Sequence, residues 1–200
     1  MEACLALGVV FATLAIPLGL DAQWTTAAWA IEGAAVFWLG LRQQRLLARG
    51  FGLLLQLAAG LVFSEQLNDS YLLQASTSQD FWTPMLLALA GLSSAWCAWH
   101  LRAAMRLDPV TLGIVLLVWS GAWWACSLST AVLRFTPEGW QLTWLLLAAA
   151  ASVLLWTLLS ARLRWPGLAL LCCALMPVSA LLLLGALADD YHPLANGGWL

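Results

Sequence analysis

Trp140–Ser160, WQLTWLLLAAAASVLLWTLLS, decides the fold class. From Leu145 to Leu155 the run is apolar and rich in Ala and Leu, with Ser152 as its single polar residue. A strand of an outer-membrane barrel alternates lipid-facing and lumen-facing residues at every second position, and this stretch does not. It has the length of about 20 residues that a helix needs to cross a bilayer. In hydrocarbon each backbone N–H and C=O must be satisfied within its own segment, so such a run is a helix.

Six more stretches of the same kind flank it. The full set covers 3–20, 24–41, 51–67, 82–101, 110–133, 140–160 and 166–187. The third is the weakest, because Ser64, Glu65 and Gln66 follow a short apolar core. Pro84, Pro109 and Pro166 stand at or near expected helix starts, where a missing N–H costs little. The whole 200-residue chain is 63% hydrophobic and 9% charged, against about 25% charged in a soluble domain. Such a chain cannot cover a water-facing surface. The expectation is an all-α, polytopic transmembrane helix bundle of about seven helices, forming a single transmembrane domain over 1–200. Its principal partner is the lipid bilayer.

Charge orients the bundle. All eight basic residues are arginines. Arg42, Arg45 and Arg49 follow the second segment, Arg102 and Arg106 the fourth, and Arg162 and Arg164 the sixth; Arg134 alone falls on the other side. Most acids sit in the opposite set of connections or in the tail. The positive-inside rule then puts the N-terminus in the cytoplasm and the C-terminus outside. The N-terminus lacks a basic region, so a cleaved signal peptide is not expected. No basic run suits nucleic acid. The 14 tryptophans fit interfacial belts, with Trp24, Trp82 and Trp140 near outer helix starts.

A period of 60 residues relates Arg42, Arg102 and Arg162, and also Trp96 and Trp156. It suits a repeated two-helix unit, or a row of similar hairpins with no duplication.

Few residues offer chemistry. Glu32 lies eight residues after Trp24 and ten before Arg42, near the expected midplane at about 1.5 Å per residue. A charged residue there costs about 2.5–3.5 kcal/mol or more and faces the bundle interior. Thr13 and Gln56 are its expected polar neighbours. Glu32 is then either a proton- or cation-handling site or hydrogen-bonding glue between helices. Pro17 and Pro177 lie inside the first and seventh segments and free the carbonyls of Thr13 and Cys173; static kinks are the favoured reading. Gly8, Ala12, Ala15 and Gly19 form a small-residue stripe suited to close packing against the second helix.

The five cysteines lie in apolar stretches without ligand spacing and read as small hydrophobes. His100 and His192 belong to opposite sides, so neither a paired-histidine haem nor a metal site is expected. Ser93, Ser94, Ser127, Ser129 and Thr130 can bond back to their own helices. No nucleophile elbow or phosphate loop is present. No cofactor is expected, and the chain does not read as an enzyme.

Residues 7–44, LGVVFATLAIPLGLDAQWTTAAWAIEGAAVFWLGLRQQ, resemble a block of large polytopic bacterial membrane proteins catalogued as domain of unknown function 2339. Pro17, Asp21, Trp24, Trp29, Glu32 and Gly33 carry the resemblance. RGFGLLLQLAAGL at 49–61 and LLALAGLSSAW at 86–96 are similar to its later, more generic blocks. The resemblance implies a helical bacterial inner (plasma) membrane protein with no assigned activity. It also implies that the chain is part of a longer one, whose other helices, or other membrane proteins, would be further partners. Two functions follow as alternatives: a structural or assembly role in the cell envelope, or a transporter or channel-like role through Glu32.

Overall fold

The computed structural model describes residues 22–72, 81–101 and 108–188, together with Gly8 and Phe11. Six α-helices account for nearly all of them: α1 (Ala22–Arg42), α2 (Leu46–Leu72), α3 (Trp82–His100), α4 (Pro109–Phe135), α5 (Gln141–Leu163) and α6 (Gly167–Ala188). A short 3-10 turn, Glu138–Trp140, leads into α5. The expected first helix, 3–20, lies outside the described residues except for Gly8 and Phe11, both helical and exposed. Thr13, Pro17 and most of the small-residue stripe lie outside with it.

The third expected segment is the one the structure changes most. It is part of the 27-residue α2, which starts before Arg49 and runs on beyond Glu65 and Gln66. Polar residues at the end of a helix leave its hydrogen-bond ladder intact, and their side chains can reach water from there.

The helices pair as hairpins, α1 with α2, α3 with α4 and α5 with α6, and the first two hairpins join mainly through α1 against α3. The α1–α2 pair is held at backbone distance. A Cβ on Gly33 would stand 2.7 Å from the Gly52 carbonyl oxygen, and one on Gly52 would stand 2.6 Å from the Phe37 nitrogen. Small residues permit this approach, and dispersion over the contact holds it where lipid offers no hydrophobic drive between helices. The same broad face of α1 supplies Ala30 to a core with Ala59 and Phe63 of α2 and Leu87, Ala88 and Trp123, and Phe37 and Leu41 to a core with Cys97 and Ala98. A third core gathers Leu116, Leu117, Trp156, Trp165 and Leu168 between α4, α5 and α6.

Three helices are long and apolar enough to cross a membrane, within Leu46–Leu67, Val110–Phe135 and Gln141–Leu163; Gly167–Leu181 is a shorter apolar helix. The central helices α1 and α3 are not among them. Their interior faces carry Thr25, Thr26, Thr83 and Ser94, all buried. Polarity therefore points inward, while side chains such as Leu47, Leu158 and Met176 are largely exposed, as a lipid-facing surface requires.

The tryptophans divide between surface and core. Trp24, Trp82 and Trp140 are exposed near helix starts, but Trp123, Trp156 and Trp165 are buried. Trp123 meets Phe63 and Trp119 edge-on at ring-centroid distances of 5.5 and 5.6 Å. An interfacial belt thus accounts for only part of the Trp content. Large rings also fill the gaps that small residues such as Gly60 leave between helices.

Two turns repeat the same backbone. After α1, Gln44 adopts φ 56°, with Arg45 N donating to Gly40 O and Gln44 N to Leu41 O. After α5, Arg164 adopts φ 49°, with Trp165 N donating to Ser160 O. Both close their helix with a left-handed residue that usually is glycine, and they are separated by twice the 60-residue period. Helix starts at Ala22, Trp82 and Gln141 follow nearly the same period, within one residue. Pro177 sits within α6, which continues past it to Ala188.

Asp108 caps α4. Its Oδ1 accepts from Val110 N at 3.1 Å and its Oδ2 from Thr111 Oγ1 at 2.6 Å, with Pro109 at the first helical position. The Thr111 hydroxyl, followed by the Val110 amide, holds this carboxyl below its ordinary range.

Two predictions follow from these turns and caps. Gln44→Gly and Arg164→Gly should each stabilise the fold by about 1 kcal/mol by removing the left-handed cost, measured by reversible unfolding in mixed micelles. Because the folded pKa of Asp108 is depressed, its contribution is present above the unfolded value of about 3.9 and is lost as pH falls through the folded value. Asp108→Asn keeps a cap and should flatten this part of the stability–pH curve below about pH 4 relative to the unsubstituted chain.

Candidate functional site

The polar residues of the interior converge on the α1–α2–α3 junction. Gly33 of α1 is buried against Gln56 of α2: a Cβ at Gly33 would meet Gln56 Cγ at 2.9 Å and its backbone nitrogen at 3.1 Å. Gln56 is 3% exposed, and its Nε2 donates to Ser94 Oγ on α3 at 2.7 Å. One side chain therefore links α2 to α3 past the edge of α1. The close Gly33–Gly52 crossing makes this reach possible, because it brings the α2 backbone near enough to α3.

Glu32 precedes the Gly33 contact by one residue. It is half-buried, its Oε2 is shielded from solvent, and the side chain takes part in a polar interaction. Of its two expected neighbours, Gln56 is packed against the adjacent Gly33, and Thr13 lies outside the described residues. Pro177 is exposed on α6 and takes no part in this junction.

The hydroxyls split into two groups. Ser93, Ser129 and Thr130 bond back to carbonyls of their own helices, at Ala90, Ala125 and Ser127. Ser94 and Ser127 instead work across the fold: Ser94 receives the Gln56 amide, and Ser127 Oγ donates to Phe81 O at 3.0 Å. Trp124 Nε1 likewise donates to Ser152 Oγ at 3.0 Å, linking α4 to α5. Sequence spacing could not separate these groups, because back-bonding and cross-helix bonding use the same residue types.

Gln56 Oε1 and Trp123 Nε1 are buried polar atoms with no hydrogen-bond partner among the described residues. No group of three metal-ligating side chains occurs among the described residues. Cys97, Cys126, Cys172 and Cys173 are free thiols. His100 is exposed, with its ring stacked on Trp96 at 4.5 Å; His192 lies outside the described residues.

The family described as "Predicted membrane protein (DUF2339)" matches residues 1–200. The chain belongs to this family. It is a membrane protein of a family whose function is unknown, and its apolar helices agree with that location. No curated protein and no solved structure matches it.

The Gln56–Ser94 pair yields a double-mutant cycle. Ser94→Ala leaves a buried amide donor unpaired and should cost about 1–3 kcal/mol. Gln56→Leu combined with Ser94→Ala should cost less than Ser94→Ala alone, since it removes the orphaned donor together with Oε1. Equal or greater cost for the double variant, read from unfolding in mixed micelles, would show that the bond does not carry the junction.

Proposed function

We propose that this protein is a multi-pass component of the bacterial inner membrane with a structural or assembly role in the cell envelope, and that it is not an enzyme. The Gln56–Ser94 bond carries this reading: a buried amide ties helices together. The Gly33–Gly52 crossing supports it, since backbone contact closes the space between α1 and α2. On this reading Glu32 is interhelical glue, at the modest energy of about 0.6–2 kcal/mol that such contacts supply. On this reading the N-terminus is cytoplasmic and the C-terminus outside; the arginines Arg42, Arg45, Arg49, Arg162 and Arg164, gathered at the α1–α2 and α5–α6 turns, support it.

One observation favours a second reading. A shielded carboxylate oxygen at mid-helix depth, on Glu32, is also what a proton- or cation-coupled transporter uses.

Glu32→Gln and Glu32→Leu separate the two readings. Under the structural role, Glu32→Gln retains a hydrogen-bonding group and should match the unsubstituted protein in growth and envelope-stress response. Glu32→Leu should lower its abundance in the membrane. A Glu32→Gln variant that accumulates normally but behaves like a deletion strain would favour transport and overturn the structural reading.

A further inference from the structure

The turn between α1 and α2 gathers positive charge. Arg42 closes α1, Arg45 occupies the turn, and Arg49 lies at the start of α2. Between Glu32 and Glu65 the chain contains no Asp or Glu. The first turn of α2, where backbone N–H groups and the helix dipole favour negative charge, also lacks an acid.

Arg49 is the decisive group. It is 7% exposed, and its Nε donates to the Gly40 carbonyl oxygen at 3.0 Å. That bond fixes the guanidinium against the last turn of α1 and leaves its Nη donors for another acceptor. No carboxylate pairs with it among the described residues. A guanidinium matches the oxygen geometry of a phosphate. Arg42 is exposed, and its guanidinium lies 5.6 Å from the centroid of the Trp38 ring.

The surroundings are apolar. Trp38, Leu39, Leu46 and Leu47 are exposed around this corner, Leu47 at 90%. A free anion would gain nothing from those side chains. An anionic lipid would place its phosphate against the arginines and its acyl chains along the leucines. We propose that the α1–α2 turn is a binding site for the headgroup of an anionic phospholipid, with Arg49 as its anchored donor and Arg42 as its outer one.

The test uses the full chain in neutral detergent, titrated with phosphatidylglycerol or phosphatidylcholine and read by native mass spectrometry. Phosphatidylglycerol should bind more tightly than phosphatidylcholine. Arg42→Gln and Arg49→Gln should each weaken it about fivefold, the effect of one arginine near an anionic membrane surface. Arg134→Gln, at the other end of the bundle, should leave its affinity unchanged, and millimolar inorganic phosphate should not displace it. Equal affinity for the two lipids, unchanged affinity in both Arg42→Gln and Arg49→Gln, a loss in Arg134→Gln as large as in those variants, or displacement by inorganic phosphate would each overturn the proposal. If Arg49→Gln fails to fold, Arg42→Gln decides alone, because its side chain is exposed.

Discussion

The backbone contact between Gly33 and Gly52 is the constraint on which the rest of the described bundle depends. Neither residue can carry a side chain, because the nearest atoms facing each Cβ position belong to the partner's backbone and cannot rotate away. With α1 and α2 this close, Gln56 lies against Gly33 and reaches Ser94 on α3. Beside this crossing, α1 receives α3 through Ala30, Phe37 and Leu41. The same crossing places Arg49 beneath the last turn of α1, where the Gly40 carbonyl holds it. Cross-helix polar contact and a fixed arginine corner are thus two ends of one hairpin geometry.

Lipid shapes the energetics in a way that reverses the usual pattern. Burial of apolar surface gains little when the alternative surroundings are hydrocarbon. Small residues and hydroxyls therefore share the interior with a few large apolar side chains, and many leucines turn outward. Ser94, Ser120 and Ser127 are almost fully buried, while Leu47, Leu158 and Leu181 are strongly exposed. Of the three spanning helices, the apolar α5 is the least buried.

The hairpins also speak to the origin of the 60-residue rhythm. A row of merely similar hairpins would reproduce helix length and loop charge. Recurrence of a left-handed, non-glycine residue at Gln44 and Arg164, in the same phase of the period, is a finer match of backbone conformation. It favours a repeated two-helix unit, although the later copies have replaced Gly33 and Gly52 with Ser93 and Val153, and with Leu112 and Cys172. The third hairpin is accordingly packed less closely than the first.

By itself the sequence determined the all-helical class and the lipid environment, because uninterrupted apolar runs such as Leu145–Leu155 admit no other way to satisfy a backbone in hydrocarbon. It also singled out Glu32 and Gln56, since polar groups within such runs are conspicuous. It could not say that Gln56 bonds Ser94, that Ser127 reaches Phe81, or that Trp123 and Trp156 belong to the core and not to an interfacial belt. Nor could it show that Arg49 is buried. Those outcomes rest on which face of each helix meets which neighbour. In lipid that choice is made by steric fit between backbones at Gly33 and Gly52, a property of two helices together that neither segment carries alone.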